Sequence, residues 1–449
     1  MGDKVAQPIG LSPAISQDAL ISAAADKILK SEYLNDKKVL LSNPGYAMTD
    51  IYYSMMNTTL SLAEVTYNTG RFTQSLGSKT FGSTSQVVIP NDQLVSSMYL
   101  HLRLDNLGDN IQLPRGWGYR AIDSLSFILG STNVSQLQIN SQSLFQRNME
   151  ECETEEKRSE VLTLGGEEIL NTGSINDVSS AHAYILLNLP FSRMQGLIPK
   201  LPLDSTLLNS VITVQVQFAQ KSAFMGGSGA TTYGNDFAVA SILLRQGIMY
   251  DKEMSIRRDL RSNSMAHYTY PFIHAQSFIP QIFAGQVASP VTITLQSFIN
   301  ADLLCISLGV VQQSYLTSSS GSAVNPFVYD RLKDVVLKYN GVVMYNAEEE
   351  LYRLYNLNSQ FGSGKILNSF CSTPSASSPV DTYIIRFDFT RIKTLIYENQ
   401  FQNVWRVPNN VMTIEFRTTT SNNYVMFATY YYNGVAEIKS DGQSDIYFS

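Results

Sequence analysis

AIDSLSFILGSTNV (residues 121–134), AYILLNLPFSR (183–193) and VITVQVQF (211–218) have counterparts in the same order later in the chain: LKDVVLKYNGVVMYN (332–346), TYIIRFDFTR (382–391) and VMTIEFRT (411–418). Asp123 to Gly130 and Asp334 to Gly341 share one spacing, and Tyr184 to Arg193 matches Tyr383 to Arg391 within one residue. Corresponding anchors lie about two hundred residues apart, far beyond the repeat length of a solenoid. Each pass reads as a strand, a Gly turn and helix, a second strand with a basic end, then a third. A β unit of this length occurring twice predicts two tandem β-sandwiches, and it points to structural assembly rather than chemistry.

Working outward from the repeat, the same alternation recurs. In LVSSMYLHLRLD (94–105), Met98, Leu100, Leu102 and Leu104 alternate with Tyr99, His101, Arg103 and Asp105, so one face is apolar and the other polar. Ile212, Val214, Val216 and Phe218 alternate with Thr213, Gln215 and Gln217, and Ile385, Phe387 and Phe389 alternate with Arg386, Asp388 and Thr390. A slip of one residue would turn each apolar set to water, so register is strongly specified. NYVMFATYYYNGVAEIK (423–439) reads as a long hairpin turning at Asn433 and Gly434.

The chain has 449 residues, more than the roughly 250 to 300 at which one core stops growing, so at least two domains are expected. YDKEMSIRRDLRSNSM (250–265) is charged, helix-like and falls where a connector should be. The expected organisation is an N-terminal arm at 1–48, a first sandwich at 49–250 and a second at 251–449. Within the arm, SQDALISAAADKILKSEYL (16–34) reads as a helix with Leu20, Ala24, Ile28 and Leu29 on one face. It could pack on its own domain or reach a neighbouring subunit or layer. FMGGSGATTYGND (224–236), SYLTSSSGSAVNP (314–326) and SGKILNSFCSTPSASSP (363–379) read as long surface loops.

Charged residues make up only 16% of the chain and the net charge is −6, with no Lys/Arg run or basic-aromatic stripe, so direct contact with a nucleic-acid backbone is not expected. Cys152, Cys305 and Cys371 are odd in number and far apart, which reads as free thiols in a reducing compartment. MGDKVAQPIG lacks a signal-peptide pattern and no stretch approaches the roughly 18 apolar residues of a spanning helix, so a soluble, non-secreted protein is expected. Ala6 stands where a myristoylation motif after Gly2 needs Ser or Thr.

Candidate chemistry fails residue by residue. Gly364-Lys365 resembles a phosphate loop, but Ser359 and Ile366 stand where that loop needs Gly and a hydroxyl residue. The acidic run MEECETEEKRSE (149–160) lacks the turn-forming Gly and spaced oxygen ligands of a cation loop and reads as a solvated helix or loop. The four histidines, His101, His182, His267 and His274, form no motif, and no GxSxG elbow is present. The sequons at Asn57 and Asn133 carry no information without a secretory signal. No catalytic, cofactor-binding or metal-ligating residue is assigned, and the protein is expected not to be an enzyme.

The order of segments resembles the double jelly-roll major capsid proteins of eukaryotic DNA viruses, including nucleocytoplasmic large DNA viruses, virophages and polinton-like elements. TTLSLAEVTYNTGRF (58–72) is similar to their opening strand, and IPNDQLVSSMYLHLRL (89–104) to their Ile-Pro-x-x-Asp segment and Tyr-Leu strand. YRAIDSLSFILGSTNVSQLQINSQSLFQRNME (119–150) follows their strand, Gly turn, strand and short helix. LNLPFSRMQGLIPKLPLDSTLLNSVITVQVQF (187–218) follows their Leu-Pro-Phe end, Leu-Pro-Leu turn and Val/Gln strand. The basic cluster after the first strand is reduced here to Arg71, and the first 48 residues are longer and more helical than in the large-virus proteins.

The resemblance implies an all-β chain of two tandem eight-stranded jelly rolls with short helices in the connections, to which the residues themselves add an N-terminal, partly helical arm. It implies homotrimers with a pseudo-hexagonal outline that tile an icosahedral virion shell. Partners would be neighbouring capsomers, penton and minor capsid proteins, and an inner membrane or inner protein layer through residues 1–48, with the three loops at the outer crown. Two other classes share the architecture. A carbohydrate-binding protein or glycoside hydrolase would carry exposed Trp and paired carboxylates, whereas only Trp117 and Trp405 occur, neither with an acid within four residues. A toxin or adhesin would usually carry a secretion signal.

Overall fold

Period-two alternation becomes strands at Leu94–Asp105, Ile212–Phe218 and Ile385–Asp388. The computed structural model describes residues 67–89, 94–108, 110–129, 138–150, 152, 155–167, 169–170, 180–187, 203–204, 212–247, 267–295, 303–317, 327–347, 366–371, 380–388, 411–439 and 444–448. The arm at 1–48, the connector at 250–265 and most of the loops at 314–326 and 363–379 lie outside the described residues.

Eight strands of the first half make the main path of its two large sheets, β1 (Tyr67–Ser75), β2 (Thr84–Ile89), β3 (Leu94–Asp105), β4 (Ile122–Leu129), β5 (Gln138–Asn140), β6 (Ser180–Leu186), β7 (Ile212–Phe218) and β8 (Val239–Gly247), beside two-residue strands at Gln112–Leu113, Ile169–Leu170 and Leu203–Asp204. The two sheets are antiparallel, ordered β1-β8-β3-β6 and β2-β7-β4-β5. The second half supplies β9 (His267–Ser277), β10 (Val291–Leu295), β11 (Leu303–Gln312), β12 (Lys333–Tyr339), β13 (Val342–Ala347), β14 (Ile385–Asp388), β15 (Met412–Arg417) and β16 (Asn423–Lys439). Their orders are β9-β16-β11-β14 and β10-β15-β12-β13, so adding eight to each label of the first half reproduces the second. The repeated sequence segments fall on equivalent strands: β4 with β12, β6 with β14, and β7 with β15. Three short helices, α1 (Trp117–Arg120), α2 (Ser141–Glu150) and α3 (Glu155–Leu164), lie in the connections of the first half.

In each half the apolar faces of the two sheets meet. Met98, Leu100, Leu102 and Leu104 of β3 share a core with Ile212, Val214, Val216 and Phe218 of β7. Ile306, Leu308 and Val310 of β11 share another with Met412, Ile414 and Phe416 of β15. Burying one such Val or Leu side chain is worth about 1.5–3 kcal/mol, so these rows dominate the stability of each sandwich.

Besides Ile366–Cys371, a strand inside the segment expected to be a loop at 363–379 and paired with Val380–Tyr383, two expectations are corrected. Residues 423–439 form one continuous strand, not a hairpin. Asn433 pairs with Ile273 and Gly434 with Phe272 of β9, and Gly434 also pairs with Phe448 in a short strand at Ser444–Phe448. Ladder bonds on both flanks keep the Asn-Gly pair extended. At Asn340 and Gly341, by contrast, no strand continues, and φ of 49° and 80° make the tight turn that joins β12 to β13.

The second correction concerns residues 224–236, which are not a free surface loop. Phe224, Met225, Ala230 and Tyr233 are buried, and Phe224 faces Trp117 at 5.9 Å between ring centroids. Phe81 meets Phe224 and Phe237 edge-on at 5.6 and 4.8 Å, and the Tyr233 hydroxyl donates to the Asp105 carbonyl at 2.9 Å. The small residues there allow close passage rather than mobility: Gly227 has φ +86°, and a Cβ on it would lie 2.0 Å from the Asn110 carbonyl oxygen. The segment caps one end of the first sandwich with aromatic rings.

Candidate functional site

The residues that bear on the expected assembly are those that join the two halves and those that face outward. The union is made by α2. Asn140 caps the helix, its Oδ1 accepting from the Ser143 amide at 2.8 Å. From Ser141 to Met149 every residue is buried, although Ser141, Gln142, Ser143, Gln146, Arg147 and Asn148 are polar. Such a helix is stable only if both sides supply partners.

They do. The Tyr329 hydroxyl donates to Gln142 Oε1 and the Thr429 hydroxyl to Gln146 Oε1, both at 2.6 Å. The Asn140 amide donates to Ser277 Oγ at 2.9 Å. These three bonds join the first half to the second. Toward its own half, Asn148 Nδ2 donates to the Tyr119 hydroxyl and the Leu186 carbonyl, and Arg120 donates to Ser141 Oγ. Phe145 stacks on Phe327 at 4.0 Å and meets Tyr119 edge-on at 5.6 Å.

The core of the first half runs on through this junction into Ala275, Cys305, Val311, Phe327, Tyr329, Val425, Phe427 and Tyr431. Along β16 the even-numbered Tyr424, Met426, Ala428, Tyr430 and Tyr432 pack in the second sandwich. The odd-numbered Val425, Phe427 and Tyr431 pack on the first-half side. Both faces are dry. Burial holds the Tyr430 hydroxyl well above its ordinary pKa. His274 of β9 is also buried, and desolvation, with a smaller contribution from the Arg147 guanidinium, lowers its pKa to about 3. Gly309 makes room for Tyr329, since a Cβ there would lie 2.2 Å from its ring.

The outward faces differ. On the first half, β3 and β6 bring His101, His182 and Tyr184 together: His101 stacks on Tyr184 at 4.4 Å, and its Nε2 lies 3.2 Å from His182 Nδ1. Burial first, then His182 and Arg103, lower the His101 pKa. Sequence reading placed His101 on a polar face but gave no sign of its partner, which is 81 residues away. On the second half, Ile279, Ile282 and Val287 are exposed along the segment after β9, and Val342, Val343 and Val411 around the β12–β13 turn. The Asn340 amide donates to the Val411 carbonyl at 2.7 Å, which holds Val411 beside that turn.

The remaining candidates stay apart. Glu156, Lys157 and Glu160 of the acidic run are exposed on and beside α3, and among the described residues no group of three or more His, Cys, Asp or Glu converges. Cys152 and Cys305 are in no disulfide, and the Cys152 thiol donates to the Asn148 carbonyl at 3.2 Å. Trp117 is fully buried, which removes it as a sugar platform. Trp405 and the Gly364-Lys365 pair lie outside the described residues.

The fold is that of the double jelly-roll major capsid proteins. VP54 of PBCV-1, as fitted into a reconstruction of the virophage Sputnik, aligns at TM-score 0.58 and 11% identity, covering 85% of this chain and 97% of VP54. The mavirus major capsid protein aligns at 0.54 and 11%, covering 86% and 92%. A chain of the Sputnik virophage structure aligns at 0.52 and 10%, covering 86% and 90%. No family model and no curated protein sequence matches the chain. At these identities the likeness is one of fold.

Proposed function

We propose that this chain is a non-enzymatic major capsid protein that self-assembles as pseudo-hexagonal homotrimers to build an icosahedral virion shell. The observation that carries this reading is the strand order repeated eight labels apart, with α2 buried between the copies. Two like sandwiches fused side by side give one chain two of the six corners of a hexagonal outline, and three chains supply all six. The fold likeness supports it, because it spans 92% of the mavirus major capsid protein.

In this reading the domains are 49–250 and 251–449, each an eight-stranded jelly roll, preceded by an arm at 1–48 that meets an inner layer or membrane. Neighbouring capsomers and penton and minor capsid proteins are the other partners. The exposed valines at 342, 343 and 411 and the isoleucines at 279 and 282 are the contacts we assign to neighbouring copies. The loop at 314–326 and the segment at 363–379, which contains the strand Ile366–Cys371, are the crown, while residues 224–236 are excluded from it as packed structure. Weak contacts between trimers suffice, because each is repeated many times across a lattice.

The test is light scattering after size exclusion, followed by electron microscopy of the same peak. A particle of about 150 kDa with a six-cornered outline is expected, three times the 50.0 kDa chain. A monomer that stays monomeric across salt and pH overturns the proposal.

A further inference from the structure

We propose that His101 and His182 form a surface site for one divalent transition-metal ion of the Zn2+, Ni2+ or Cu2+ class, with water completing its shell. The site follows from strand pairing. In the antiparallel β3–β6 ladder His101 lies opposite Tyr184 and Arg103 opposite His182, so the two histidines are diagonal neighbours on the outward face. Their nearest nitrogens, Nε2 and Nδ1, are 3.2 Å apart. Two metal–nitrogen bonds of about 2.1 Å at a tetrahedral angle require a separation of about 3.4 Å. The nitrogens are thus spaced for one ion, and with ring planes 9° apart and each lone pair lying in its ring plane, both rings must turn for the lone pairs to converge on it.

The surroundings hold the pair in place. Tyr184 lies against the face of His101 with ring planes 7° apart, and both histidines sit on hydrogen-bonded strands rather than loops. Ligands carried on rigid elements lose little freedom on binding. Metal coordination needs neutral imidazole, and the environment of His101 disfavours its charged form. The charged neighbours on β3 are Arg103 and Asp105, joined to each other at 2.9 Å, so Asp105 is engaged and Arg103 opposes a cation. Across the other ladder, His101 faces Ser241 of β8. Binding thus rests on the imidazole lone pairs, which select borderline ions over the oxygen-seeking Ca2+ and Mg2+. No third His, Cys, Asp or Glu joins the pair among the described residues, so the remaining positions point away from the sheet.

The experiment is calorimetric titration of the full chain with zinc or nickel chloride at pH 7.5 and 5.5, using wild type, His101→Gln, His182→Gln and the double variant. X-ray absorption would be measured on the zinc-loaded protein. We expect one ion per chain that the double variant loses, at least about a tenfold weakening in each single variant, and weaker binding at pH 5.5 as protons compete. The absorption spectrum should show imidazole nitrogens at about 2.0–2.1 Å. Unchanged stoichiometry and affinity in a folded double variant would overturn the proposal, as would no binding by wild type up to about 1 mM. His182 is exposed, so its substitution leaves the fold intact, and the readout is the same whether the chain is a monomer or a trimer.

Discussion

Replacing Phe145 with alanine tests whether α2 makes the two halves one cooperative body. Phe145 is 2% exposed, stacks on Phe327 of the other half at 4.0 Å and meets Tyr119 of its own at 5.6 Å. Truncating a buried Phe costs about 3–5 kcal/mol in lost transfer energy and cavity formation, so about 4 kcal/mol is a fair central value. Unfolding entropy is about 2.1 cal/mol/K per residue, which for 449 residues gives about 0.9 kcal/mol/K. If the chain melts as a unit, Tm falls by about 4 °C. If only one half of about 200 residues feels the loss, its own transition falls by about 10 °C and separates from the other.

Differential scanning calorimetry at fixed protein concentration distinguishes the two, and a single peak displaced by about 4 °C is expected. Phe145→Leu, which retains most of the volume, should shift it by less than half as much. A wild type that already melts in two peaks would refute the coupling. So would a variant with native near-ultraviolet dichroism and a Tm within about 1 °C of wild type, because the cavity argument allows no such tolerance.

Gly309→Ala should destabilise the chain by at least about 2 kcal/mol in denaturant melts, since the added Cβ meets the Tyr329 ring at 2.2 Å in a region with no slack. Gly227→Ala should cost about as much, through its φ of +86° and its contact with the Asn110 carbonyl, and should be read out as protease nicking within residues 224–236. Thr429→Val leaves Gln146 Oε1 without its bond and should cost about 1–3 kcal/mol; in a double-mutant cycle Gln146→Leu with Thr429→Val should cost less than the sum of the singles. His274, with a folded pKa of about 3 against an unfolded 6.5, stays neutral while the unfolded chain takes up a proton. Stability therefore falls as pH drops from 6.5 toward 3, by roughly 3 kcal/mol at pH 4, and His274→Gln should flatten that slope in acid melts.

The legible part of the fold was the part governed by one buried face. Met98 to Leu104 and Ile212 to Phe218 alternate because a single sandwich side is dry, and the repeat aligned β4 with β12 and β7 with β15 for that reason. Where both faces are buried the signal disappears: Tyr424 to Tyr432 are all inside, even positions against one core and odd against the other, so a hairpin was read from Asn433 and Gly434. SQSLFQRNME gave a short helix but not its burial, because the amide oxygens of Gln142 and Gln146 accept from Tyr329 and Thr429, 187 and 283 residues away. His101 and His182 were invisible as a pair for the same reason: ladder register, not spacing, brings them together.

The separation of Gln146 from Thr429 also sets a timetable. At about 5–20 residues per second, a ribosome needs roughly 15–55 s to add the 283 residues between them. For the last 182 of those residues, from the completion of β8 at Gly247 to Thr429, the first sandwich has every strand it needs, yet α2 displays Phe145 and its unanswered amides to solvent. The second sandwich cannot close either, because β9 and β11 both wait for β16. Nascent chains on one message thus pass through a long stage in which a sticky helix and unmatched strand edges are exposed. Chaperone occupancy should peak between the completion of β8 and the emergence of β16, and collapse once that strand slots home.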